Sequence, residues 1–146
     1  MKPVFVDTSV LILSEDGANP EARAKALAWL MLLWQQRAGR VSTQVLNDFY
    51  RLVTTRIQPP MPNGDARAEV RRYQRWNPWA IDHATVESAW SIESRFGLTY
   101  IDALIVAAAK AQGCELLLSL ELPHEQQLDS VRILNPLLSE PTAWTD

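Results

Sequence analysis

The chain has 146 residues, 47% hydrophobic and 21% charged, with a formal net charge of −3. That is the length of one domain with enough apolar mass for a core, which argues against disorder, and its acidic balance gives no global signature of nucleic-acid binding. Cys114 is the only cysteine, so an internal disulfide and a thiolate metal site are both excluded, and its apolar surroundings suit an inert buried thiol.

Val4-Phe5-Val6 is β-branched and aromatic and reads as a buried strand. Asp7 stands where that strand emerges, followed by Thr8-Ser9 and Val10-Leu11-Ile12. An ionisable group there is costly unless paired, and it sits where open α/β sheets bind ligands, at the carboxyl end of a strand. The alternative is that Asp7 only caps the following helix. Because Asp7 interrupts the apolar run, the N-terminus does not read as a secretory signal. No stretch approaches the roughly 18 uncharged apolar residues of a membrane span. A cytoplasmic location is expected.

Asn19-Pro20-Glu21 starts a helix; Ala22, Ala26, Leu27, Leu30, Leu33 and Trp34 continue it, and Gly39 is expected to stop it. Arg40-Val41-Ser42 reads as a short strand leading into a second helix with Val45, Leu46, Phe49, Leu52 and Val53, which ends before Pro59-Pro60. Pro59 to Gly64 is a loop, and an arginine-rich helix follows from about Asp65 to Arg75. Trp79-Ala80-Ile81 reads as a further short strand. Asp82 caps a helix closed by Gly97, and Thr99 caps an alanine-rich helix from Tyr100 to Gln112 with Gly113 as its stop. Glu115 to Ser119 and Val131 to Leu134 read as the last strands. No repeat or internal boundary is visible, so residues 1–146 are expected to form one domain. Strands alternating with helices imply an α/β fold whose parallel sheet is covered on both faces.

Strand ends and the first turns of the helices that follow lie on one edge of such a sheet. Asp7, Asp102 in the first turn of the alanine-rich helix, and Glu121 just after the strand ending at Ser119 can therefore converge, and Asp48 is near enough to join them. Each has a plainer alternative. Asp102 is three residues after Thr99, the spacing of a capping box; Asp48 can be a solvated helix residue; Glu121 can be an ordinary loop acid. Carboxylates forced together raise one another's pKa unless cations neutralise them. Oxygen ligands without cysteine or a histidine pair favour Mg²⁺ or Mn²⁺ over Zn²⁺, and such a site can activate water against a phosphoryl group. His83 and His124 lack partners at ligand spacing and read as structural or solvated.

The ordered set Val6-Asp7-Thr8-Ser9-Val10-Leu11-Ile12, Ser42-Thr43-Gln44-Val45-Leu46-Asn47-Asp48-Phe49-Tyr50, and Tyr100-Ile101-Asp102-Ala103-Leu104-Ile105-Val106-Ala107-Ala108-Ala109, with the looser Leu117-Leu118-Ser119-Leu120-Glu121-Leu122, resembles PIN domains. More narrowly, it resembles the VapC-type toxins of bacterial toxin–antitoxin pairs. The resemblance covers nearly the whole chain. It implies a three-layer α/β/α sandwich, metal-dependent endonuclease activity on RNA using Mg²⁺ or Mn²⁺, homodimerisation, and inhibition by a co-expressed antitoxin. It makes Asp7 the first acid of the site and Asp102 the acid at the helix start. Asp48 stands where the family more often has Glu. Glu121 stands where it more often has Asp, after a Ser/Thr-Glu pair that here reads Ser119-Leu120. Thr8 and Ser9 match the small hydroxyl residues beside the first acid.

Arg51, Arg56, Arg67, Arg71, Arg72 and Arg75 form the one locally basic stretch. It reads as a solvated face, an RNA-backbone contact or a docking surface for an acidic antitoxin segment, and Arg67, Arg71, Arg72 and Arg75 are the contact candidates. Trp29, Trp34, Tyr73 and Trp76 read mostly as core, otherwise as a groove for an antitoxin helix or a base-stacking surface. Trp144, in a proline-containing tail, is expected to be docked on the surface or disordered and not catalytic. Two other classes of function compete with a toxin nuclease. One is a catalytically weak PIN scaffold for protein or RNA binding, motivated by the departures at Asp48 and Glu121. The other is a phosphoryl-receiving domain, which would need an acidic pair at the first strand and a lysine near it; Asp7 stands alone, and Lys110 lies deep in another helix.

Overall fold

The computed structural model describes residues 1–145. Its sheet has five strands in the order β2-β1-β3-β5-β4: β1 (Val4–Val6), β2 (Gly39–Arg40), β3 (Leu116–Leu118), β4 (Gln127–Leu128) and β5 (Val131–Leu134). The first four neighbours run parallel, and β4 closes one edge antiparallel to β5. Six α-helices flank it: α1 (Thr8–Glu15), α2 (Pro20–Gln36), α3 (Thr43–Val53), α4 (Asn63–Tyr73), α5 (His83–Phe96) and α6 (Tyr100–Ala111). Helix α1 packs on α2 and α3, and α3 on α4. Helices α5 and α6 pair, and α6 lies on β3 and β5. The result is the expected α/β arrangement with a mostly parallel central sheet.

Local chemistry sets most of the boundaries. Asn19, Asp82 and Thr99 accept hydrogen bonds from the backbone N–H groups of Ala22, Thr85 and Asp102, and so cap α2, α5 and α6. Gly97 and Gly113 take left-handed conformations after α5 and α6, as their stop role requires. Seven consecutive residues of α6, Ala103 to Ala109, are buried, which marks a helix enclosed on all sides. The strand interiors Phe5, Val6, Leu117, Leu118, Ile133 and Leu134 are fully buried beneath it.

Several expected details change. Helix α2 is ended by Arg37, whose φ is +53°, and not by Gly39. Gly39 instead opens β2, where a Cβ would stand 2.5 Å from the Trp76 ring, so the constraint there is close approach and not chain reversal. The second strand accordingly spans Gly39–Arg40 and not Arg40 to Ser42. Trp79 forms only an isolated bridge to Ser42, because the chain leaves that edge at once to enter α5. Helix α3 stops at Val53, and α4 begins at Asn63, inside the expected loop. The final residues of the arginine-rich segment tighten into a 3-10 turn, Gln74–Trp76. The two-residue β4 is too short to show alternation in the sequence.

The candidate carboxylate site

Strand β1 connects to β2 on one side of it, and the chain then returns as β3 on the other, so the crevice between the ends of β1 and β3 is the topological switch point of the sheet. Asp7 lies there. Its backbone N–H donates to the Leu118 carbonyl at 2.9 Å, continuing the β1–β3 ladder one residue past the strand. The side chain then turns into the following helix as the N-cap of α1, with Oδ1 accepting from the Thr8 N–H at 2.7 Å. The capping expectation is met, and the residue that caps also stands at the switch point.

Ser119, fully buried at the end of β3, donates its hydroxyl to Asp7 Oδ2 at 2.8 Å. Ser119 Oγ in turn accepts the N–H groups of Glu121 and Leu122 at 3.0 and 3.1 Å. One hydroxyl therefore orients the first acid and folds the loop carrying the last. Ser9 adds a second tie, accepting the Leu120 N–H at 3.1 Å. Ser119 is the positioning residue that sequence reasoning passed over. Its signal in the sequence is a small hydroxyl at a strand end, one residue before Leu120.

Asp7 is only 6% exposed. Burial pushes its carboxyl up from the ordinary 3.8 to about 6, against the hydrogen bonds from Ser119 and Thr8, and the charges of Asp102 and Glu121 push it the same way. Asp102 is partly buried and Glu121 exposed, and neither carboxylate makes a hydrogen bond or ion pair among the described residues. For Asp102 this removes the side-chain half of a capping box: Thr99 caps its N–H, while the carboxylate remains free.

Asp48 is placed differently. Its carboxylate meets Arg51 one turn along α3 at 3.6 Å, and it is not among the charges that raise Asp7. The helix that carries it nevertheless touches the start of α6, since Gln44 Nε2 donates to the Ile101 carbonyl at 3.2 Å. Residues 44 and 48 share a helix face, so Asp48 lies one turn beyond that contact.

Among the described residues no three His, Cys, Asp or Glu side chains are gathered closely enough to hold a metal ion. The donor chemistry still suits a hard cation. The charges of Asp102 and Glu121 both bear on Asp7 at the crevice, and the Thr8 hydroxyl beside it is buried without a hydrogen-bond partner. An oxygen-only set of this kind matches Mg²⁺ or Mn²⁺.

The other candidates separate clearly. Trp29, Tyr73 and Trp76 are buried core, which removes them from any groove or stacking surface. The Trp29 indole donates to the Ser139 carbonyl at 2.7 Å. Arg72 is engaged by Glu69 at 2.8 Å and stacks on Trp34 and Tyr73, so it is part of the packing. Arg67, Arg71 and Arg75 are exposed. Trp144 docks on the surface, with its indole donating to Ser139 Oγ at 3.0 Å. His124 accepts the Asn135 N–H at its Nδ1 and is structural; His83 is exposed at the start of α5. No helix among the described residues is long and apolar enough to cross a membrane.

Comparison with known proteins bears on the fold and the family. Among solved structures, VapC20 of Mycobacterium tuberculosis, a sarcin-ricin loop cleaving toxin, superposes with a TM-score of 0.60 at 19% identity, over 78% of this chain and 86% of that one. VapBC2 of Rickettsia felis, bound to promoter DNA, gives 0.64 at 11% identity over 89% and 96%. DNA-bound VapBC of Salmonella typhimurium gives 0.62 at 15% over 91% and 97%. At these identities the likeness is one of fold. No curated protein matches the sequence significantly. The PIN domain family matches residues 4–121, a span that begins with the first strand and ends on Glu121, and the chain belongs to that family.

Proposed function

We propose that this protein is a metal-dependent endoribonuclease acting as the toxin of a toxin–antitoxin pair. The observation that carries the reading is Asp7, a buried carboxylate held by Ser119 and Thr8 at the sheet's switch point and pressed by two further acids. A purely structural cap has no use for that pressure. Asp7, Asp102 and Glu121 would hold Mg²⁺ or Mn²⁺, with Asp48 reaching the ion through water. When bound, such a cation supplies Lewis acidity toward a phosphoryl oxygen and lowers the pKa of water at the site. Of the chain's own groups, Ser119 fixes the direction of the Asp7 carboxylate, Thr8 offers an unused hydroxyl, and the exposed Glu121 can take a proton from water. Incubating purified protein with RNA and either ion, with and without chelator, tests this. Chelator-sensitive cleavage lost in Asp7→Asn is expected; cleavage that survives either treatment overturns it.

An antitoxin is the expected protein partner. Leu27 and Met31, exposed one turn apart on α2, border with Leu30 and Trp34 a hollow of about 290 Å³ suited to the apolar face of a partner helix. Homodimerisation belongs to the same reading, and Tyr100 and Ile101, exposed beside Asp102, are available for it. Light scattering of the purified protein reads this directly. A second reading, a catalytically weak PIN scaffold, is favoured by the Asp48–Arg51 pair and by the open spacing of the acids. Titration with Mn²⁺ separates the two, because a scaffold has no reason to take up the ion at Asp7.

A further inference from the structure

At the β2 edge of the sheet, Trp34, Arg37, Arg40, Arg75, Trp76 and Asn77 line a pocket of about 460 Å³. Three guanidinium groups converge on it, and no carboxylate pairs with any of them among the described residues. The Arg37 and Arg75 side chains are exposed and make no hydrogen bond. Arg40 spends only Nη1, on the carbonyls of Arg37 and Gly39 at 3.3 and 2.8 Å. In a chain of net charge −3, three uncompensated like charges around one cavity are a repulsive arrangement that an anion relieves.

Two independent features mark the same place. The buried indole N–H groups of both lining tryptophans find no acceptor within the protein. Arg37 and Asn77 also carry positive φ, +53° and +50°, two of only four non-glycine residues that do so among the described residues. Asparagine tolerates that conformation, but arginine pays for it. Glycine is the usual residue at such a helix end, and strain of this kind gathers at binding sites.

We infer that this pocket is a subsite for a phosphate of single-stranded RNA, remote from the carboxylates; this rests on the ribonuclease reading for its substrate. Guanidinium forks match phosphate oxygens with paired, directional hydrogen bonds, and the ribonuclease reading makes RNA the polyanion this surface would meet. Gly39 is in register with Val4, three residues before Asp7. The pocket therefore lies toward the amino ends of the strands, about 10 Å along the strand direction from Asp7 and on the side away from the crevice of the acids.

The test uses the Asp7→Asn protein, so that RNA is bound without being cut, and a fluorescent ten-nucleotide oligoribonucleotide of mixed sequence over a range of salt. Arg37→Gly and Arg75→Gln should each weaken binding several-fold and reduce the salt slope by about 0.7. Lys25→Gln, which removes an exposed charge on α2 outside the pocket, should do neither. Arg37→Gly should at the same time raise Tm by relieving the strained backbone, which separates a binding role from a structural one. Unchanged affinity and slope in both arginine variants overturns the proposal. So does a poly-glutamate peptide that binds more tightly than the RNA and is lost in the same variants. Cleavage by the native protein with unaltered variant binding refutes the pocket alone. Absence of cleavage with binding lost in the variants refutes the nuclease reading alone.

Discussion

Asp7→Asn has a consequence for stability that can be worked from the site. The native carboxyl titrates near 6 in the folded protein and near 3.8 when unfolded. Below pH 3.8 both states are protonated, and the difference contributes nothing. As pH rises through the interval the unfolded chain ionises first, so the metal-free native protein loses stability up to about pH 6 and then levels off. At 1.36 kcal/mol per pH unit the full span corresponds to about 3 kcal/mol, of which about 2 kcal/mol falls between pH 4 and pH 7. Asparagine does not titrate. It also cannot accept from both Thr8 and Ser119 with one oxygen, which costs about 1 kcal/mol at every pH. The diagnostic is therefore the slope and not the offset: urea titrations in chelator, at intervals from pH 4 to pH 8, should show the variant gaining on the native protein by about 2 kcal/mol and then running parallel. Adding Mn²⁺ at 100 times its Kd should stabilise the native protein by about 2.7 kcal/mol and leave the variant unmoved. A stability difference that is flat with pH would refute the account of Asp7 as a buried, charge-stressed carboxylate.

Three further outcomes are expected. Ser119→Ala leaves two backbone N–H groups without their acceptor and Asp7 Oδ2 without its donor, so it should cost on the order of 2–4 kcal/mol in urea unfolding. In the same variant the Asp7 carboxyl, followed by NMR, should titrate above about 6. Asp48→Ala should shift the Mn²⁺ and Mg²⁺ dependence of cleavage to higher metal while Asp48→Glu preserves or raises activity at limiting metal; if Asp48→Ala leaves both curves unmoved, Asp48 serves only Arg51. Gly39→Ala drives a methyl into the Trp76 ring and should lower stability by roughly 1–3 kcal/mol, read as a fall in Tm.

What was legible in the chain was local. The caps at Asn19, Asp82 and Thr99 and the stops at Gly97 and Gly113 depend on side chains within a few residues of the backbone groups they serve. Strand ends likewise announced Asp7 and Glu121. What escaped depends on neighbours distant in sequence. Gly39 looked like a helix stop because nothing local reveals that Trp76 lies against it. Trp29, Tyr73 and Trp76 could not be told from groove residues until α2 and α4 were packed. The arginine-rich stretch divided in three dimensions, since Glu69 and Trp34 take Arg72 while Arg75 turns toward Arg37 and Arg40 from another element. Asp48 was grouped with the other acids by type, and only the folded chain shows that it is paired with Arg51.

Every candidate acid lies at or before residue 121, yet the strand that flanks β3 comes after it. Ser119 is anchored by its own N–H to the Leu134 carbonyl at 3.0 Å, and β5 covers the side of β3 opposite β1. A gene truncated just past codon 121 would encode all four carboxylates together with an unshielded edge of Leu116, Leu117 and Leu118, prone to pairing with other chains. Nonsense and frameshift lesions soon after codon 121 would therefore disarm the protein as completely as loss of Asp7, while sparing every residue that an inspection of acids would check.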